Sequence, residues 1–332
     1  MRGLRCLSLR AGAALGRMPV PTVAVIIPNW NGAHLLPGCL GSLRRQTYRD
    51  FETIVVDNGS KDDSVALMQA GFPEVRVLAL PVNLLFAGGV NAGIRATDSP
   101  IVVLLNNDTE ADAGWLEQLV GTLDAHPEAG MAASKLLLFD RRGVLHSAGD
   151  FYGVDGVPGN RGVWEDDRGQ YDHAVEVFSP CGGAAAYRRS MLDEIGLMDE
   201  DLVAYCEDVD LAFRAQLAGY TCVFAPHAKV YHMLSATGGG PLASYYCGRN
   251  FLAVIAKDLP GAILRNHWPR IAVRQVSFAW HSLTHWREPS ARARLRGQLA
   301  GLRLLPSMWR KRGEVQAHKR VSDAYIESIL GH

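Results

Sequence analysis

Glu207 and Asp208 stand together in the stretch Tyr205-Cys-Glu-Asp-Val-Asp-Leu-Ala-Phe-Arg-Ala-Gln-Leu-Ala-Gly-Tyr220, at the mouth of a short amphipathic helix. A carboxylate held on a fixed element is suited to take a proton from a reacting hydroxyl. Val209, Ala212, Phe213, Gln216 and Leu217 recur at i, i+3, i+4, i+7 and i+8, so one face is largely apolar, and Gly219 supplies the left-handed stop. The same residues fit an ordinary helix start, because the macrodipole favours acids in a first turn and Asp210 with Arg214 makes an i,i+4 pair. What separates the two readings lies upstream.

Asn106-Asn107-Asp108-Thr109-Glu110 follows a continuously apolar run, which puts a carboxylate where a divalent cation bridging two phosphates is held. Oxygen ligands of this kind suit Mg2+ or Mn2+. The alternative is an N-cap, with Asp108 or Thr109 capping the helix of Trp115. Asp57-Asn58-Gly59-Ser60 reads equally as a turn with a loose capping box to Asp63, or as side chains that hydrogen-bond a nucleobase or ribose. Phe86-Ala-Gly-Gly-Val-Asn-Ala-Gly93 carries glycines into a helix and permits close approach of a pyrophosphate or sugar. Ala87 and Val90 break the dinucleotide register G-x-G-x-x-G, which disfavours a dehydrogenase. His232, after the last strand-like run, is either a satisfied structural histidine or, with Asp108, a third metal ligand.

The elements that must position these groups alternate from residue 22 onward. Apolar runs at 22–27, 53–56, 75–80 and 101–105 read as strands, and helical faces fall at 36–43, 62–70, 87–96 and 116–123. Short, continuously apolar strands separated by helices imply a parallel sheet covered on both faces, with ligands beyond the carboxyl ends of its strands. Pro28-Asn29, Asp57-Asn58 and Asn106 to Asp108 fall at those ends. Residues 140–180 are rich in Gly, Asp and Arg and read as loops and hairpins; 181–187 and 221–225 read as late strands flanking the Glu207 helix. The expected organisation is an N-terminal extension outside the fold at 1–20, a catalytic domain at 21–245 and a helical basic region at 246–332.

Formal charge sums to zero, yet residues 261–320 hold 13 Lys and Arg against Glu288 and Glu314 alone. Trp268, Trp280, Trp286, Leu302, Leu304, Leu305 and Trp309 are interleaved with these arginines, a mixture suited to an anionic membrane surface. A solvated helical surface packed on the catalytic domain accounts for the same composition. Nucleic acid is the weakest of the three readings. The six cysteines are scattered, with no C-x-x-C and no Cys/His cluster at zinc spacing, which points to reduced thiols in a cytosolic setting. No run reaches the roughly 18 to 20 apolar residues of a spanning helix, so no transmembrane segment is expected. Residues 1–20 make a poor signal peptide.

Taken in order, the motifs resemble a family 2 glycosyltransferase of the GT-A fold, and more narrowly the bacterial rhamnosyltransferase-like branch, over residues 22–240. The elements in register are Val25-Ile-Ile-Pro-Asn-Trp-Asn31, Val55-Val-Asp-Asn-Gly-Ser60, Asn83 followed by Phe86 to Gly93, Leu104-Leu-Asn-Asn-Asp108, Gly182-Gly183-Ala184, and Glu207-Asp208-Val209-Asp210-Leu211. The resemblance implies a doubly wound, mostly parallel sheet with helices on both faces. It implies that Pro28, Asn29, Asn31, Asp57, Asn58 and Asn107 line a nucleotide pocket, and that Gly88, Gly89 and Asn91 face the donor's diphosphate or ribose. Asp108 matches the last position of the family's Asp-x-Asp metal motif; Asn106 departs from its first, which removes one carboxylate. His232 is the candidate third ligand for Mg2+ or Mn2+. Gly182, Gly183 and Arg214 are assigned to the donor sugar or acceptor, Asp208 to the base and Glu207 to a place beside it.

The implied reaction is an inverting transfer of a sugar, rhamnose in the narrow reading, from a nucleoside-diphosphate sugar to a glycan or lipid-linked acceptor in cell-surface polysaccharide synthesis. Such a displacement needs one base and one cation, and no covalent intermediate, so Glu207 is better read as an orienting residue. The Gln-x-x-Arg-Trp motif of processive members is missing, which favours addition of one or a few sugars. The implied location is the cytoplasm, with peripheral contact at the inner membrane face through 246–332. Two alternatives differ in class. A sugar-nucleotide pyrophosphorylase calls for a basic glycine-rich loop after the first strand, where this chain has Pro28-Asn-Trp-Asn-Gly. A non-catalytic nucleotide-sugar or carbohydrate-binding module has no need of an acid at 208.

Overall fold

Branched apolar residues at 23–27, 54–56 and 101–105 form strands because such side chains pack well on a pleat buried on both faces. In the computed structural model, which describes residues 20–331 apart from 174, 235, 237 and 238, the chain opens as β1 (Val23–Asn29), α1 (Leu36–Arg44), β2 (Phe51–Asp57), α2 (Ser64–Gly71), β3 (Arg76–Ala79), α3 (Leu85–Arg95) and β4 (Ile101–Leu105). The extension expected at 1–20 lies, but for Val20, outside the described residues. Next come β5 (Thr109–Ala111), α4 (Trp115–Ala125), β6 (Ala129–Leu138), β7 (Leu145–Ser147), β8 (Asp150–Tyr152), β9 (Pro158–Asn160) and β10 (Glu176–Val177). β11 (Ala184–Arg188), α5 (Arg189–Ile195), a 3-10 turn at Glu200–Leu202, α6 (Glu207–Leu217) and β12 (Thr221–His232) complete the sheet region. The chain ends in α7 (Gly240–Lys257), α8 (Gly261–Thr284), α9 (Pro289–Ala317) and α10 (Asp323–Ile329).

The central sheet runs β10-β12-β6-β11-β4-β1-β2-β3, with β5 paired to β12 and β7 to β6. β1, β2, β3 and β4 are mutually parallel, as is β12 with β6, while β11 runs antiparallel between β4 and β6. The sheet is therefore mixed and mostly parallel. β6 was not expected from sequence. All ten of its residues are buried, but Ala-Gly-Met-Ala-Ala-Ser-Lys carries little strand propensity, and its Lys135 is buried only because Asp167 (3.0 Å) and Asp172 (2.5 Å) pair with it.

Alternation along β1 sends Val23, Val25 and Ile27 to a core shared with Leu36, Leu40, Trp115 and Leu119, and Ala24 and Ile26 to the opposite core with Val90, Ile94 and Phe213. The second core continues into the C-terminal helices through Val254, Ile255, Leu259, Ile263, Ile271 and Val315. The boundary expected at 245 falls inside α7, and α7 to α10 pack on the sheet region. α7 and α9 approach closely along glycines: a Cβ on Gly248 would meet Arg294 O at 2.5 Å, and one on Gly301 would meet Arg249 O at 2.7 Å.

Candidate active site

The carboxyl ends of β1, β2 and β4 converge, as parallel strands with polar C-terminal residues must. Asn29 Nδ2 donates to Asp57 Oδ1 (3.2 Å), while Asn29 Oδ1 accepts from Asn107 Nδ2 (2.8 Å). Ser60 Oγ accepts from the Asn31 N–H (2.8 Å), and the Ser60 N–H donates to Asp57 Oδ2 (3.2 Å). Pro28 lies one residue back on β1, opposite Val56. The capping box considered for Ser60 is not formed; Ser60 ties the first two strand ends together. Asn31, at φ 52, is one of the few non-glycine residues held in the left-handed region, as at strained functional turns.

Asp108 and His232 meet because β5 pairs antiparallel with the end of β12, setting Thr109 opposite His232. His232 Nε2 lies 3.2 Å from Asp108 Oδ1, and the Met233 N–H donates to the Asp108 carbonyl (2.9 Å). Asp108 is not an N-cap: α4 begins seven residues later, after Gly114, without a side-chain cap. A carboxylate oxygen and an imidazole nitrogen 3.2 Å apart, both largely buried, are a donor set that Mg2+ or Mn2+ accepts. Behind His232, His146 Nδ1 lies 3.1 Å from His232 Nδ1. Burial, and then the neighbouring His232, lower His146 to about 4, so it is neutral near pH 7. Its position in a three-residue strand gave no sequence signal.

Asp208 sits on the first turn of α6, partly open to solvent. Its Oδ2 accepts from the Gly182 N–H (2.8 Å) and its Oδ1 from the Val209 N–H (2.8 Å). Burial raises its pKa above the ordinary carboxylate range, and these two N–H groups oppose the rise. Glu207 is buried beside it and is pushed well above the usual range by burial and then by the charge of Asp208, so it is held protonated. Gly182 and Gly183 stitch Asp208 to the loop that carries Asp108. The Gly182 N–H binds Asp208, the Gly183 carbonyl accepts from the Asn106 N–H (2.9 Å), and a Cβ on Gly182 would sit 3.0 Å from Asp208 Oδ2.

The segment before α6 is strained: Val203, Tyr205 and Cys206 have φ of 70°, 65° and 69°. It is held from α7, where Asn250 Nδ2 donates to the carbonyls of Leu202 (2.8 Å), Ala204 (3.0 Å) and Tyr205 (2.6 Å). Sequence reasoning missed this clasp because Asn250 is about 45 residues away in a helix read as separate from the catalytic part.

Five of the expected site residues are engaged within the protein itself. Arg214 does not face the cleft; its guanidinium bonds Asp210 (2.8 and 3.0 Å) and the carbonyls of Ile195 and Leu197 (2.7 Å each), which is the i,i+4 alternative in buried form. The Asn91 amide is spent on the Met198 backbone, accepting from its N–H (3.1 Å) and donating to its carbonyl (2.9 Å). Gly88 and Gly89 serve packing, since a Cβ would meet Leu84 Cβ at 2.8 Å or Asn58 Nδ2 at 2.9 Å. Asn58 pins the start of α3, its Oδ1 accepting from the Leu84 N–H (2.7 Å) and its Nδ2 donating to the Leu85 carbonyl (2.8 Å).

With this geometry in hand, the chain can be set beside known proteins. The family model of glycosyl transferase family 2 matches residues 24–196. An N-acetylglucosaminyl-diphospho-decaprenol L-rhamnosyltransferase of Mycobacterium tuberculosis is 30% identical over 247 residues, 67% of this chain and 78% of that protein. The O-antigen chain rhamnosyltransferase RfbN of Salmonella typhimurium is 24% identical over 72% of this chain and 76% of its own. A Sinorhizobium fredii protein, y4gI, is 31% identical over 66% of this chain, but the match spans only 25% of its length. Among solved structures, S. aureus TarS 1-349 superposes with a TM-score of 0.56 at 20% identity, over 92% of this chain and 90% of that one. The mannosyltransferase PcManGT of Pyrobaculum calidifontis, in complex with GDP-Man and Mn2+, gives 0.52 at 18% identity, over 93% and 79%. The fold is that of the GT-A glycosyltransferases, and the chain belongs to glycosyl transferase family 2, with rhamnosyltransferases among its relatives.

Proposed function

We propose that this protein is an inverting, metal-dependent glycosyltransferase that moves a sugar, rhamnose in the narrow reading, from a nucleoside-diphosphate sugar to a hydroxyl of a glycan or lipid-linked acceptor. The observation that carries the reading is the Gly182-Gly183 stitch: it ties Asp208 to the loop that carries Asp108, against which His232 of β12 lies. Asp208 takes the acceptor's proton; its partial exposure and raised affinity for a proton suit a base near neutral pH. Asp108 and His232 would hold Mg2+ or Mn2+, which would supply positive charge to neutralise the leaving diphosphate. Asn29, Asn31, Asp57, Ser60 and Asn107 form the pocket wall for the nucleoside. Glu207, being protonated, orients and does not abstract. The rhamnose assignment rests on the names of the relatives, and its test is a thermal-stabilisation screen of nucleotide sugars with Mg2+ or Mn2+. A preference for dTDP-rhamnose over UDP and GDP sugars is expected; preference for another donor removes the rhamnosyl label and leaves the family.

The C-terminal helices give the same enzyme a membrane-facing surface. α8 exposes Trp268, Val273, Val276, Trp280 and Leu283, and α9 exposes Leu299, Leu302 and Trp309 beside Arg296, Arg303 and Arg310. No described helix is long and apolar enough to cross a membrane. Exposed tryptophan and leucine among arginines suit a helix lying in an anionic interface, on the cytoplasmic face where a lipid-linked acceptor is presented.

A further inference from the structure

Asp150 has no role in the site described so far. It opens β8, it is buried, and its Oδ1 accepts from Ser147 Oγ (2.5 Å) and Asn160 Nδ2 (2.9 Å). The Asp150 carboxylate, the Cys181 thiol and the Asp208 carboxylate each present an atom within 4.8 Å of the other two. Carboxylates this close do not both ionise with ordinary acidities; they titrate as a pair that retains one proton over a wide range.

We propose that Asp150 and Asp208 form a proton-sharing carboxyl pair, in which Asp150 is a positioning residue that sets the charge state of the base. This rests on the reading of Asp208 as the base. In the transfer, the acceptor oxygen forms its bond to the sugar carbon, the nucleoside diphosphate leaves with the electron pair of the broken bond, and the hydroxyl proton passes to Asp208. With the retained proton on Asp150, Asp208 is the ionised member of the pair and is free to accept the hydroxyl proton.

The surroundings agree with a shared proton. Burial, and then the charge of Asp208, push Asp150 up to about 7. Around Asp150 stand Asp208, Cys181, Cys222 and Arg161, of which Arg161 alone is cationic and acts against the rise. Facing Asp208 are Glu207, Tyr187, Cys206 and Cys247. Burial and the two carboxylates raise the Cys181 thiol well above its ordinary value.

The test is a carboxyl-carbon NMR titration of the full chain labelled with 13C-aspartate, without added metal. Asp150 is expected to titrate near neutral pH, and D208N is expected to lower its midpoint by about one pH unit. D150N is expected to lower the Asp208 midpoint by a similar amount. An Asp150 midpoint that stays in place in D208N overturns the proposal, and because Asp208 is partly exposed that variant decides the matter even where D150N does not fold. The titration uses neither donor nor acceptor, so failure of the base reading, seen as retained transfer in D208N, is distinguishable from failure of the pairing.

Discussion

At the level of single residues, Glu207 and Asp208 are adjacent in sequence and are proposed to play opposite roles because their surroundings differ. Glu207 points into the interior, where burial and its neighbour keep it protonated, while Asp208 meets the cleft and two backbone N–H groups. Glu207→Gln, nearly isosteric with a protonated glutamic acid, is therefore expected to keep turnover within about threefold, whereas an acid that must ionise loses about 10²–10⁴-fold in steady-state assays. Gly182→Ala drives a methyl to 3.0 Å from Asp208 Oδ2 and removes the room beside the base; turnover is expected to fall at least tenfold with KM for the donor changed less. The placement of Asp208 at the start of a helix and of Asp108 after the end of a strand was legible in the sequence because it is local. His146 and Asp150 were not. Both reach the site from short strands in a stretch that read only as loops and hairpins, and nothing local distinguishes them from surface polar residues. Arg214 shows the converse error: a cation near the acids by spacing, but aimed down the helix into the core.

Among the elements, α6 is fixed by charge as well as by its apolar face. Fully buried Asp210 meets Arg214 (2.8 Å) and Lys257 of α7 (2.5 Å), and Lys257 also reaches Asp199 (2.6 Å). Burial would raise the Asp210 acid; Arg214 and Lys257 outweigh it and hold Asp210 well below the ordinary range, while Asp199 is lowered in the same way, chiefly by Lys257 against burial. Lys257 is held up at about 12, its acids outweighing burial. Because both aspartates are depressed on folding, their stabilisation is complete above about pH 4, the unfolded value, and is lost as pH falls toward the folded values. Lys257→Met leaves two buried carboxylates short of a partner and is expected to cost about 3–5 kcal/mol in urea unfolding at pH 7, with a flatter loss of stability below pH 4 than the parent. The strand and helix positions of the first half followed from apolar periodicity. β6 did not, since its burial comes from neighbours on both sides and not from its own small residues, and the Asn250 clasp on the loop before α6 is a tertiary contact that no local pattern encodes.

For the molecule as a whole, the C-terminal helices share the core of the sheet and still leave tryptophans and leucines in the open. Co-sedimentation with vesicles containing anionic lipid is expected at low salt and is expected to weaken as salt screens the arginines. Trp280→Ala with Trp309→Ala should reduce it at least several-fold, and absence of binding at low salt contradicts the membrane role. The account of the enzyme stands on one group. With the donor chosen by the stabilisation screen, Asp208→Asn, verified as folded by its thermal melt, is predicted to lose about 10²–10⁴-fold in sugar transfer while still binding the nucleotide; transfer at the parent rate would contradict the assignment of Asp208 as the base.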